Sequence, residues 1–149
     1  MGGDSKLNLL LTHQEPSPPQ GQAWYQTLQQ LLTPLGVRTF EATSGTQAVD
    51  LIERHPIHLA VVDSQLPSIS GINVLQLIQK LQDQPKPKPA TKLVATVILI
   101  APPQQTQQLL HEALKFNAFT VLPEPVDVNL MLEVMARALR RFHQNQWPA

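Results

Sequence analysis

Leu59-Ala60-Val61-Val62-Asp63-Ser64-Gln65-Leu66-Pro67-Ser68-Ile69-Ser70-Gly71 contains an apolar run, a polar turn with a proline, and a glycine at which a helically spaced segment starts. Consecutive apolar residues without polar alternation mark a strand buried on both faces, as in a parallel sheet covered by helices. From Gly71 to Gln82 the apolar positions Ile72, Leu75, Ile78 and Leu81 recur at the spacing of an amphipathic helix. Strand, turn and helix in that order are half of a βαβ unit, and such units build layered α/β folds.

The same pattern extends in both directions. Leu7 to Leu11, Val37 to Ala42, Val94 to Ile100 and Phe119 to Leu122 are further strand-length runs. Between them lie segments with helical spacing. The first uses Trp24, Leu28, Leu31, Leu32 and Leu35, and the second, Thr46 to Arg54, turns Val49 and Ile52 inward. Gln105 to Phe116 uses Leu109, Leu110, Ala113 and Leu114; Val128 to Phe142 uses Leu130, Met131, Val134, Ala138 and Phe142. Punctuation agrees: Gly36 closes the first helix, Ser44-Gly45-Thr46 opens the second, His55-Pro56 stops it, and Asn117 tolerates the left-handed turn that ends the fourth. Strand and helix alternate five times, which predicts a parallel sheet sandwiched by helices.

Composition bounds what such a domain can do. With 149 residues there is room for one domain. Eleven basic residues balance eleven acidic ones, so no net positive field exists to hold a nucleic acid by its phosphates. With no cysteine, thiolate metal sites and thiol nucleophiles are excluded. No apolar window reaches membrane-span length, and Met1-Gly2-Gly3-Asp4-Ser5 lacks the features of a signal peptide, so a soluble cytoplasmic protein is expected. The expected organisation is a tail over 1–5, one domain over 6–143 and a tail over 144–149. Within the domain, the proline- and lysine-rich stretch 85–92 reads as a solvated loop insertion, and His13 to Gln22 as a proline- and glutamine-rich approach to the first helix.

In an open parallel sheet, ligands and reactive groups gather at the carboxyl ends of the strands. Thr12, His13 and Gln14 follow the first strand, Asp63 ends the third, Ala101 and Pro102 follow the fourth, and Pro123-Glu124-Pro125 follows the fifth. Asp63 stands out as a carboxylate ending a wholly apolar run, although a strand-end turn explains an aspartate equally well.

Val61 to Gly71 resembles the stretch in response regulator receiver domains where a phosphoacceptor aspartate precedes a Leu-Pro turn and a helix-opening glycine. Asn117-Ala118 and Glu124-Pro125 resemble the family's Gly-Ala and Lys-Pro around its fifth strand. The resemblance spans about Lys6 to Phe142. It implies a flavodoxin-like, three-layer doubly wound sheet in the order 2-1-3-4-5, with two helices on one face and three on the other. It also implies a cis peptide at Glu124-Pro125, and a role in two-component signalling or phosphorelay through a histidine kinase or an output protein rather than an enzymatic one.

The departures from the family pattern are concentrated in the pocket. The family's acidic pair, which holds Mg²⁺, corresponds to His13 and Gln14, or in a register shifted by one to Thr12 and His13; neither supplies a carboxylate. Ala101 stands where the family has a hydroxyl, Val121 near its switch aromatic, and Glu124 in place of its lysine. Like charges about 4 Å apart repel by roughly 4 kcal/mol at an effective dielectric of about 20. An atypical pseudo-receiver, with weak or absent Mg²⁺ binding and no other cofactor, is therefore expected, with a receiver using Asp63 as phosphoacceptor as the alternative.

Other readings of the same residues stay open. His13 packs or caps at its strand end, and Glu124 turns outward or pairs with His13; alternatively His13, Asp63 and Glu124 converge as a metal or small-molecule sensor. Thr12 to Pro16 lacks the glycine of a flavin phosphate loop. Arg137, Arg140 and Arg141 either complement the dipole of the last helix or, with Trp147, face a partner. Zero net charge also permits weak homodimerisation through the fourth helix, fifth strand and fifth helix. No membrane contact is expected.

Overall fold

Each central strand sends alternate side chains to opposite layers, and that division builds the molecule. In the computed structural model, which describes residues 7–13, 23–82 and 96–142, five strands form one parallel sheet. They are β1 (Leu7–Thr12), β2 (Val37–Ala42), β3 (Leu59–Asp63), β4 (Thr96–Ala101) and β5 (Thr120–Pro123), in the order β2-β1-β3-β4-β5. The helices are α1 (Trp24–Leu32), α2 (Gly45–Arg54), α3 (Gly71–Gln82), α4 (Thr106–Lys115) and α5 (Val128–Phe142).

Leu7, Leu9 and Leu11 of β1, Leu59 and Val61 of β3, and Ile98 and Ile100 of β4 pack under α1 and α5. Leu10, Ala60, Val62, Val97 and Leu99 pack under α2, α3 and α4. Two helices therefore cover one face and three the other, as expected for a sheet whose central strands are apolar throughout. Parallel register runs Leu7↔Val37 to Thr12↔Ala42, Leu9↔Leu59 to Leu11↔Val61, Leu59↔Thr96 to Asp63↔Ile100, and Ile98↔Thr120 to Ala101↔Pro123. This register brings the ends of β1, β3, β4 and β5 to one edge. No helix among the described residues is long and apolar enough to cross a membrane.

The punctuation residues act as their chemistry requires. Ser44 caps α2 by accepting the Gln47 N–H (3.1 Å), and His55 turns extended ahead of Pro56. Gly36 and Asn117 take positive φ values of 89° and 68°. Glu124-Pro125 is cis.

Several expected core positions are corrected. Leu31 (48% exposed), Leu35 (43%), Leu114 (51%) and Leu130 (40%) lie largely in solvent. In α1 the buried stripe is Tyr25, Leu28 and Leu32, so Leu31 falls about 100° round the helix from Leu32. Thr33–Leu35 then tightens to a 3₁₀ turn, and Leu35 faces outward. In α4 the buried anchor is Ala113, with Leu109 and Leu110 packed beside it. The inward stripe of α5 is Met131, Val134, Met135 and Ala138, one residue round from Leu130. Gln14, Trp147, the 85–92 loop and both tails lie outside the described residues.

Candidate functional site at the carboxyl edge of the sheet

β3 delivers Asp63 to the carboxyl edge, where it is 7% exposed. Its Oδ1 accepts the Gln65 N–H at 2.8 Å, a bond from an aspartate to the backbone two residues on that shapes a tight turn. The Asp63 N–H donates to Thr12 Oγ1 (2.8 Å), and that hydroxyl donates to the Val61 carbonyl (3.0 Å). Thr12 is fully buried, so its side chain serves as a staple between the ends of β1 and β3.

The turn after Asp63 is held by close backbone approach. A Cβ on Gly71 would lie 2.5 Å from the Asp63 carbonyl oxygen and 2.7 Å from Ser64 Cα, so only glycine lets α3 start this close to the strand. The Ser64 N–H donates to Ile100 O (2.8 Å), and the Gly71 N–H to Ser64 O (3.1 Å).

At the end of β1 the chemistry is different. The His13 ring stacks on Tyr25 with centroids 3.6 Å apart and an interplanar angle of 2°, and its Nε2 lies 3.0 Å from Glu41 Oε1. Gln29 Nε2 donates to Glu41 Oε2 at 3.0 Å. The His13 hydrogen bond holds the Glu41 carboxyl below the usual carboxylate value; partial burial opposes this, and the Gln29 hydrogen bond adds to it. The first helix and the β2 edge are thereby tied together across His13.

The other edge positions are simpler. Ala101 is fully buried, with its methyl group in the core beneath α2, α3 and α4. Glu124 is half-buried and donates its backbone N–H to the Ala101 carbonyl at 2.9 Å. Val121 is buried in the same core cluster as Ala101. On α5, Arg137 pairs with Glu133 at 2.9 Å along the helix surface.

One open reading of His13 is corrected by this geometry. The carboxylate bonded to its ring is Glu41, because parallel pairing of β1 with β2 sets Leu11 beside Glu41, two residues before His13. His13, Asp63 and Glu124 are not brought together as ligands. Among the described residues no group of three or more His, Cys, Asp or Glu side chains is placed to hold a metal ion. Glu41 and Tyr25 were missed by sequence reasoning. Both lie far from His13 along the chain, and the one available signal was that an exposed glutamate in edge strand β2 would neighbour the end of β1.

Comparison with known proteins agrees with the fold just described. The response regulator receiver domain profile matches residues 21–136, and the chain belongs to that family. It is 30% identical over 102 residues to the response regulator protein PilR of Pseudomonas aeruginosa; the match covers 68% of this chain and 20% of PilR. It is 30% identical over 105 residues to a probable chemotaxis protein CheY of Rhizobium etli, covering 70% of this chain and 74% of that protein. In three dimensions it resembles the receiver domain of the Saccharomyces cerevisiae response regulator Ssk1, solved with the histidine phosphotransfer signalling protein Ypd1. There the TM-score is 0.72 at 18% identity, and 93% of each chain is covered.

Proposed function

We propose that this domain is an atypical receiver that signals through contacts with other proteins, without conventional Mg²⁺-dependent phosphorylation of Asp63. The observation that carries the reading is the His13 arrangement: where family members place acidic ligands, this chain has an imidazole stacked on Tyr25 and bonded to Glu41. Mg²⁺ demands oxygen ligands in near-octahedral geometry. Residues 12 to 14 carry no carboxylate for the ion, and the Thr12 hydroxyl is bonded to the β3 backbone. Ala101 has no hydroxyl to offer a transferred phosphoryl group, and Glu124 brings negative charge where the family has a lysine.

On this reading the domain needs no cofactor and catalyses nothing of its own. Its partner is a protein such as a histidine kinase, a phosphotransfer protein or an output protein, a class represented by the Ypd1 complex of the similar Ssk1 receiver. Weak self-association through α4, β5 and α5 belongs to the same reading, with Leu114 on α4 and Leu130 on α5 exposed, and the cytoplasm is the compartment where such partners meet it.

The second reading, a working phosphoacceptor, is favoured by one feature: Asp63 sits at the strand end with its turn intact. Incubation with acetyl phosphate and Mg²⁺, followed by intact-mass measurement, separates the two. The expected spectrum shows unmodified protein. Stoichiometric addition of one phosphoryl group that disappears in Asp63→Asn would establish the second reading instead.

A further inference from the structure

The turn that follows Asp63 is bound to α2 by a contact set that spans two units of the fold. The Gly45 N–H donates to the Pro67 carbonyl at 2.9 Å, and the Thr46 N–H donates to Ser68 Oγ at 3.2 Å. The Thr46 and Ser68 hydroxyl oxygens lie 2.8 Å apart and share a hydrogen bond. A Cβ on Gly45 would lie 2.5 Å from the Ile69 Cβ and closer still to its carbonyl oxygen, so the turn rests directly on the first turn of α2. Ser68 holds a φ of +66°, a left-handed conformation that costs a serine energy and persists only where its surroundings impose it.

These contacts share one short segment with the Asp63 carboxylate. Asp63 Oδ1 sets the position of Gln65 through its N–H, and Pro67 and Ser68 follow directly. We propose that this clamp carries rearrangement of the Asp63 turn to the first turn of α2, making that turn a read-out surface of the chain. The two states differ at Ser68. In the clamped state its left-handed backbone aims the hydroxyl at Thr46. In the released state it relaxes to an ordinary φ, and the Gly45 and Thr46 amides lose their partners to water. Ala101 and Val121 carry no polar group through which to respond, whereas the Asp63 turn is hydrogen-bonded to α2 through Ser68 and Thr46. The clamp senses the geometry of the turn, so the proposal stands whether or not Asp63 accepts a phosphoryl group.

The test is amide NMR on the full chain, with no phosphodonor present. Asp63→Ala removes the acceptor for the Gln65 N–H, and Asp63→Asn retains one. The expected result is that Asp63→Ala displaces the Gly45 and Thr46 cross-peaks severalfold more than those of Gln107 to Leu110 on α4, with Asp63→Asn displacing them less. In a Thr46→Val background, which removes the hydroxyl pair but leaves the Gly45 and Thr46 N–H bonds, the displacement at α2 should fall. Ser68→Gly provides a second background, because glycine keeps the left-handed turn without strain while removing the hydroxyl. Equal displacement at α2 in the native and Ser68→Gly backgrounds, the latter lacking both Ser68 hydroxyl contacts, or larger displacement at α4 in the intact chain, would overturn the proposal.

Discussion

The turn after β3 and the end of β1 face the same edge of the sheet, yet they are constrained in different ways. Around Asp63 the constraint is backbone against backbone: glycines at 45 and 71 allow segments to approach more closely than any side chain would permit. Around His13 the constraint is side chain against side chain, a stacked ring and a carboxylate recruited from β2. The first kind of constraint admits few substitutions, because a Cβ at either glycine has no room. The second tolerates exchange of chemistry without loss of the fold. On the proposed reading, the Asp63 turn therefore keeps its shape while the groups around it differ from those of a phosphoacceptor site.

The comparison breaks most visibly at the glycines. Gly71→Ala should destabilise the protein by about 3 kcal/mol or more, because the new methyl group meets main-chain atoms of Asp63 and Ser64 that have no room to move. Urea unfolding followed by circular dichroism measures this directly. A loss below about 1 kcal/mol would mean that the turn repacks easily, unlike a tightly packed interior.

Thr12→Val keeps the shape of the staple and removes its hydroxyl, leaving the Asp63 N–H without that acceptor. A loss of about 1–3 kcal/mol is expected, the cost of a buried donor left unpaired. His13→Ala should cost less, about 1–2 kcal/mol, for one aromatic stack and one hydrogen bond at a partly solvated site. If His13→Ala proves costlier than Gly71→Ala, the contrast between the two regions fails.

The smallest effect lies in the pH dependence. The Glu41 carboxyl is held below its ordinary value in the folded chain, so the unfolded chain binds more protons in that window. The stabilisation is present above the ordinary carboxylate pKa and is lost as the pH falls through the lowered one. Glu41 is nearly half exposed, so solvent screening limits the gain to under about 0.5 kcal/mol. Glu41→Gln should flatten the acid limb of the stability curve by that amount, and His13→Ala should do the same through loss of the partner.

Much of the fold was legible in the sequence because Leu59 to Val62 and the neighbouring runs are apolar at every position, which only a doubly covered strand tolerates. Asp63 was legible for the same reason, as the first charge after such a run. Leu31, Leu114 and Leu130 were misplaced because each sits one residue from a buried position, and a single step round a helix exchanges core for solvent. The His13 and Glu41 pair and the Ser68 and Thr46 pair were not legible at all. Both join residues more than twenty positions apart, through a strand register and a left-handed turn that local sequence does not specify.

The most direct measurement is an amide NMR titration of the full chain with Mg²⁺ and beryllium fluoride, a mimic of the phosphoryl group, run beside a variant carrying His13→Asp, Gln14→Asp, Ala101→Thr and Glu124→Lys. The native chain should show no saturable displacement of the Asp63 and Gln65 cross-peaks, while the variant, with carboxylates, hydroxyl and lysine restored, should show one. Saturable displacement in the native chain that requires Mg²⁺ and disappears in Asp63→Asn would contradict an atypical receiver whose pocket is closed to phosphorylation.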